Sequence, residues 1–241
     1  MDLDAAQIGR NYPVDLGLVG DARQVLAQIL SLARGHDRSS PPQWAAQARA
    51  AQQTQLATWD EQTKRELAIV ASLQAALPEN TIIANDMTVF CYWMLRHFAV
   101  HDPRSFLFPQ HFGALGFALP AAIGARIGHP ERPVLAICGD GGFMFSVQEL
   151  ATAVKYGLKL AVLLCNDNCY SSVRLNQQRR FPHPPFEVDV VNPDFMLLAK
   201  AYGANGIRLG SLDEVGNVAG RALEMPGLTI VEAPIDLKLP S

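Results

Sequence analysis

Cys138-Gly139-Asp140-Gly141-Gly142, with Asn166-Asp167-Asn168 downstream, is the part of this chain that decides its fold. The first run follows the apolar segment Val134 to Ile137, and the second follows Leu160 to Leu164. Glycines at a strand end let the backbone approach a ligand closely and aim N–H groups at phosphate oxygens. Asp140 offers a hard anionic oxygen, suited to Mg²⁺ or Ca²⁺. Mg²⁺ takes one or two carboxylates and completes its shell with phosphate oxygens and water. Asp167 lies 27 residues after Asp140. That separation holds one helix and one strand, so adjacent parallel strands can bring the two loops together. Taken singly, each aspartate reads better as a cap or turn residue. Together, at two strand ends, they point to a site for a divalent cation and the phosphates bound to it.

Outward from these loops, apolar strands alternate with helices. Strands are expected at 81–84, 134–138, 160–165 and 228–231, with shorter ones near Phe106 and Ile207. Helices are expected at 90–97, 114–127, 147–156, 193–202 and 212–223. This alternation predicts an α/β fold: a parallel sheet with helices on both faces. Ligands of such sheets bind beyond the carboxyl ends of the strands, where both loops lie. Residues 43–77 are rich in Ala and Gln with no Gly or Pro, and read as one helix or two packed on the main domain. Before them, 12–19 includes an apolar stretch, and Asp21 reads as the N-cap of a helix with Val25, Leu26, Ile29 and Leu30 on one face. Gly35 to Pro42 is a breaker-rich linker. The division expected is an incomplete domain tail at 1–40, a helical linker at 41–78 and the ligand-binding domain at 79–241.

The run Gly139-Asp140-Gly141, then Asn166-Asp167 with Tyr170 three further on, closely resembles the cofactor motif of thiamine-diphosphate enzymes. The runs Phe112-Gly113-Ala114-Leu115-Gly116-Phe117-Ala118-Leu119-Pro120-Ala121-Ala122 and Gln148-Glu149-Leu150-Ala151-Thr152-Ala153 agree with it. The chain is similar to the acetolactate synthase, pyruvate oxidase and benzoylformate decarboxylase branch over about 81–235, the thiamine-diphosphate-binding fold. Residues 1–40 resemble the end of that family's central domain. The resemblance implies that Asp140 and Asp167 are side-chain ligands of Mg²⁺, with the carbonyl of Cys169 as a third. It implies that Gly139, Gly141, Gly142, Tyr170 and Ser171 line the diphosphate, with backbone N–H groups offered by Gly141, Gly142 and Ser171. Thr88 is a further diphosphate candidate. Leu115 matches the apolar residue that bends the cofactor, and the carbonyl of Gly113 is matched to its aminopyrimidine. Ser172 and Val173 are expected to face the substrate space, a 2-oxo acid. Among the histidines expected near the site mouth, His97, His101 and His111, the last is the candidate for substrate contact, and a structural or surface role fits it as well. Arg179, Arg180 and the stretch 181–185 read as an exposed loop.

Two positions depart from the family pattern. Asp167 replaces the usual asparagine and adds negative charge beside Asp140, which a divalent cation would offset. Val173-Arg174-Leu175-Asn176-Gln177 stands where acetolactate synthases read Val-Arg-Gln-Trp-Gln. The family's activating glutamate resides in a separate pyrimidine-binding domain, for which this length leaves no room. Glu149 is read as a local cap or pair. The resemblance thus implies the C-terminal part of a carboligase or decarboxylase, partnered by a pyrimidine-binding domain from the same or another chain and expected to be a homo-oligomer. A non-catalytic binding or assembly module and one subunit of a split enzyme are the alternatives. FAD binding would need more of the central domain. A dehydrogenase-type nucleotide domain fits less well, because no Gly-x-Gly-x-x-Gly opens a helix after a strand.

Composition is ordinary for a soluble globular protein. The 241 residues are 49% hydrophobic and 18% charged, with a net charge of -3. That balance gives no electrostatic reason to expect nucleic acid or an anionic membrane surface. No apolar stretch nears the ~18–20 residues that span a bilayer. The start Met1-Asp2-Leu3-Asp4 lacks the features of a signal peptide, and a cytoplasmic location is the default expectation. The four cysteines form no CxxC pair and read as reduced, partly buried thiols.

Overall fold

The computed structural model describes residues 1–35, 43–235 and 237. The chain divides into two compact units, 1–58 and 59–241. In the first, Asp2 bridges Val19, and α1 (Ala22–Ala33) is capped by Asp21, whose carboxylate accepts from the Gln24 N–H. α2 (Gln43–Ala57) buries none of its residues. The apolar stretch at 12–19 forms no strand: its pairing is one isolated bridge at Val19, in which the Leu18 carbonyl accepts from Asp2 N–H and Gly20 N–H donates to the Asp2 carbonyl. All but the first residue of the expected linker, 36–42, lies outside the described residues.

The second unit is built on a six-stranded sheet. Its elements in chain order are α3 (Glu61–Ala76), β1 (Ile82–Asn85), α4 (Val89–His97), β2 (Phe106–Leu107), α5 (Ala118–Gly128), β3 (Val134–Gly139), α6 (Asp140–Met144), α7 (Leu150–Lys155), β4 (Leu160–Asn166), α8 (Ser171–Arg180), α9 (Phe195–Tyr202), β5 (Asn205–Arg208), α10 (Val215–Glu224) and β6 (Leu228–Pro234). The strand order is β2-β1-β3-β4-β6-β5, and every pairing is parallel. The strands of the centre read as continuous apolar runs because both faces are covered. Alternate side chains divide between two cores. Ile83, Leu135, Ile137, Leu163 and Val231 face α3, α4 and α10. Ile82, Ala136, Val162 and Ile230 face α5, α7 and α9. Each fully buried Leu, Ile or Val contributes about 1.5–3 kcal/mol, so this double core carries most of the fold.

α3 docks through Ile69, Val70 and Leu73. Its backbone comes so close to α10 that a Cβ on Gly216 would lie 2.6 Å from the Ser72 carbonyl oxygen, and one on Gly220 would lie 3.1 Å from that of Ala76. The two glycines, four apart on one helix face, set the closeness of this crossing. Among the described residues, no helix is long and apolar enough to cross a membrane.

Several expected boundaries shift. α5 begins at Ala118 rather than 114, because Gly116 adopts a left-handed φ of 80° that ends any helix there. The segment expected as one helix at 147–156 opens with a 3₁₀ turn before α7, and the one at 212–223 does the same before α10. Pro193 lies outside α9, which is capped by Asp194 through the N–H groups of Met196 and Leu197. Arg179 and Arg180 are the last turn of α8 rather than loop, favourably placed against its C-terminal carbonyls. Residues 43–77 form two helices, interrupted before Asp60, which caps α3 by accepting from Thr63 N–H.

Candidate active site

The carboxyl ends of β1, β3 and β4 lie side by side, with Asn85 opposite Ile137 and Gly139 opposite Cys165. A cavity of about 370 Å³ opens above them. It is lined by Thr88, Gly113, Leu115 and Asp167, and by residues 139–142 and 169–173. Every residue that the sequence assigned to cofactor or metal therefore meets in one place. His111 does not line it and is exposed. His97 packs between Trp59 and Trp93, with ring centroids 5.8 and 5.6 Å away. Burial, with the nearby charge of Arg96, holds its pKa below the ordinary histidine value. His101 lines a separate cavity of about 270 Å³.

Local chemistry explains the shape of the site. β3 runs directly into α6, so Asp140 is the first helical residue and Gly139 its cap. Gly141 has no room for a side chain: a Cβ there would lie 2.4 Å from the Tyr170 ring. A Cβ on Gly142 would lie 3.2 Å from the Asp86 carboxylate. Thr88 caps α4, its hydroxyl oxygen accepting from Cys91 N–H at 2.9 Å. Asn168 takes a left-handed φ of 55°, which asparagine tolerates, and turns the chain after β4. Tyr170 N–H then donates to the Val188 carbonyl and Val190 N–H donates to the Asn168 carbonyl, which fixes the backbone on both sides of Cys169. Glu149 pairs locally, accepting from the Thr152 hydroxyl at 2.9 Å.

Asp140 and Asp167 are an uncomfortable pair without a cation. Asp140 is 2% exposed, and burial raises its pKa despite a hydrogen bond from Asn192. Burial also raises that of Asp167, which accepts from the Ser171 hydroxyl, and the negative charge of Asp140 adds to the rise. Two hard oxygen donors with raised affinity for positive charge, beside glycine N–H groups and a cavity, suit a divalent cation carrying phosphates. Among the described residues, no three His, Cys, Asp or Glu side chains gather as a metal set. A pair of carboxylates would leave the other positions of a divalent cation to phosphate oxygens and water. All four cysteines are buried, and burial pushes the Cys91 thiol up to about 12 and Cys165 higher still.

One family of proteins matches this arrangement by sequence. The profile of the thiamine pyrophosphate enzyme C-terminal TPP binding domain covers residues 86–233. The chain belongs to this family. Its six-stranded parallel sheet is thus that of a thiamine-diphosphate-binding domain. A probable 2-ketoarginine decarboxylase of Pseudomonas aeruginosa is 36% identical over 96% of the chain and 41% of its own length. A probable acetolactate synthase large subunit of Methanococcus aeolicus is 28% identical over 98% of the chain and 42% of its own. The thiamine diphosphate-dependent 4-hydroxybenzoylformate decarboxylase of Rhodococcus jostii RHA1 superposes with a TM-score of 0.74 at 23% identity, covering 98% of this chain and 43% of that one. It shares the fold. The chain spans less than half the length of the relatives it matches.

Two residues in or beside the site escaped the sequence reading. Asp86, fully buried at the end of β1, accepts from the N–H groups of Met87 at 2.9 Å and Gly116 at 3.0 Å. It thereby ties the loop after β1 to the turn that carries Leu115. Burial raises its pKa against these hydrogen bonds. Asn192 donates to Asp140 from a segment 52 residues downstream. The Asn-Asp pair closing β1 and the Asn-Pro-Asp before α9 are visible in the sequence. Neither pattern reveals a partner so far along the chain.

Proposed function

We propose that this domain holds thiamine diphosphate through Mg²⁺ and serves the decarboxylation of a 2-oxo acid, whose fragment left after loss of CO₂ is released as an aldehyde or passed to an acceptor, in an enzyme of which it is the diphosphate-binding part. The observation that carries this reading is the pair of carboxylates, buried Asp140 and half-buried Asp167, at adjacent strand ends of one cavity. On this reading Asp140, Asp167 and the Cys169 carbonyl hold the cation. The N–H groups of Gly141, Gly142 and Ser171 hold the diphosphate. Leu115 and the Gly113 carbonyl orient the far end of the cofactor. Thiamine diphosphate, when bound, supplies the carbanion chemistry that loss of CO₂ from a 2-oxo acid requires. Val173 and Asn176 border the cavity and would contact substrate. Asn176 stands where acetolactate synthases carry tryptophan, and its amide donates to the Ser172 carbonyl at 3.0 Å. A small polar side chain there favours substrates bulkier than pyruvate.

Residues 1–40 are read as the tail of a central domain, 41–78 as its link, and a pyrimidine-binding domain, from the same or another chain, as the partner that completes the site in a homo-oligomer. The test is turnover of 2-oxo acids with thiamine diphosphate and Mg²⁺, with and without a chain carrying that partner domain. Activity only in its presence is expected, and turnover by the 241-residue chain alone would show the site to be complete.

The carboxylate pair also predicts a pH dependence. Since burial raises both pKa values, the cation-free fold is most stable when they are protonated and loses stability as pH rises through the raised values. A cation competes with those protons. The rise in unfolding temperature produced by Mg²⁺ with thiamine diphosphate is expected to be small in acid and to grow with pH. Thermal scanning across pH checks this, and a shift that shrinks as pH rises contradicts it.

A further inference from the structure

We infer that Asn192 is a positioning residue, whose side-chain amide sets the orientation of the Asp140 carboxylate and locks the loop after β4 to it; this rests on the reading that Asp140 and Asp167 hold a divalent cation. The Asn192 Nδ2 lies 2.6 Å from Asp140 Oδ2, 3.1 Å from Asn168 Oδ1 and 3.2 Å from Asn166 Oδ1. An amide nitrogen has two hydrogens, so these three acceptors share them. Three oxygens converging on one atom also fix which end of the amide points inward. Asn192 Oδ1 is buried without a hydrogen-bond partner in the structure. A side chain used only for local packing would not face three oxygens of two different strand-end loops while leaving its own acceptor unmet.

The amide is itself held firmly. Two residues on, Asp194 caps α9 and accepts from Arg208 at 3.0 Å. Arg208 Nε donates to Glu232 at 2.8 Å, and the other oxygen of Glu232 accepts from Asn166 Nδ2 at 2.9 Å. Asn166 is thus gripped at both ends of its amide, by Asn192 and by Glu232. Upstream of Asn192, the 188–190 backbone runs beside 168–170, with Cys169 opposite Asp189. The result is a polar chain from the edge strand β5, through β6, to the carboxylate of Asp140. It keeps Asp140 and the Asp167–Cys169 turn in a fixed mutual position before any cation arrives. Partners of this kind fix ligand geometry, and their loss commonly weakens metal binding ten- to hundredfold.

The test uses the full chain as wild type, Asn192→Leu, which matches the side chain in size but lacks the donor, and Asn192→Ser, which relieves its volume. Mn²⁺ binding in the presence of thiamine diphosphate is followed by electron paramagnetic resonance, and unfolding is measured without cation. Both variants are expected to bind Mn²⁺ ten- to hundredfold more weakly than wild type. A merely structural residue would lower the cation-free unfolding temperature and leave Mn²⁺ affinity unchanged, and that result overturns the inference. If the wild type itself takes up no Mn²⁺, the cation reading fails. The cation-free crystal structure of either variant then decides: a rotated Asp140 carboxylate and a displaced Asn168 support the positioning role, and unchanged positions refute it.

Discussion

Asp140→Asn is expected to weaken Mg²⁺-supported thiamine diphosphate binding by on the order of 100-fold, about 2.8 kcal/mol, while raising the unfolding temperature of the cation-free chain. The two effects share one cause. Asp140 is buried and its pKa is raised, so the folded state favours its neutral form. Asparagine is neutral at every pH and keeps the shape, and its side-chain oxygen can still accept from Asn192. The change also lifts the charge that raises the pKa of Asp167. What disappears is the anionic ligand a hard cation needs. Calorimetric titration with Mg²⁺ present or chelated measures the first effect, and thermal unfolding without cation measures the second. Wild-type affinity in the variant would remove Asp140 from the cation site. A cation-free unfolding temperature several degrees lower would mean that the carboxylate is a structural anchor instead.

Gly216→Ala is expected to lower stability by about 2 kcal/mol and the unfolding temperature by about 4–8 °C. Alanine raises helix propensity over glycine by about 1 kcal/mol, so the packing term must be larger and of opposite sign. It is, because the new methyl would meet the Ser72 carbonyl at 2.6 Å, and that atom belongs to the backbone of α3. A side chain could swing aside, whereas here the whole helix has to retreat. Retreat loosens Ile69, Val70 and Leu73 against Val215, Ala219 and Ala222. Gly124→Ala in α5, where a Cβ meets nothing within 4 Å, is the control and is expected to stabilise by up to about 1 kcal/mol. Denaturant midpoints for the pair check the sign as well as the size, and a stabilised Gly216→Ala protein would refute the close crossing.

The parallel sheet was legible because Val134 to Ile137 and Leu160 to Leu164 are apolar without alternation, as strands buried on both faces must be. The positions of Asp140 and Asp167 followed, since each comes three residues after the end of its run. α6 was not legible: two of its five residues are glycine, and it forms because β3 delivers the chain into a packed corner. α8 was missed for a different reason. Its sequence SSVRLNQQRR has only Val173 and Leu175 as apolar residues, so no stripe announces a helix. The helix expected from 114 failed at its start because apolar composition outweighed the two glycines, Gly113 and Gly116, which both take positive φ. Asp86 and Asn192 act on residues 30 and 52 positions away, and such partners exist only once the sheet has assembled.

The strand order also governs how this chain must be made. β4 pairs on one side with β3, which precedes it, and on the other with β6, whose first residue, Leu228, is synthesised 62 residues after Asn166. At roughly 5–20 residues per second, that interval lasts about 3–12 s. Throughout it, a strand apolar from Leu160 to Cys165 displays an open row of N–H and C=O groups, the template on which nascent chains stick to one another. Slower, cooler expression or added chaperone, which shelters that edge until β6 arrives, is therefore expected to improve recovery.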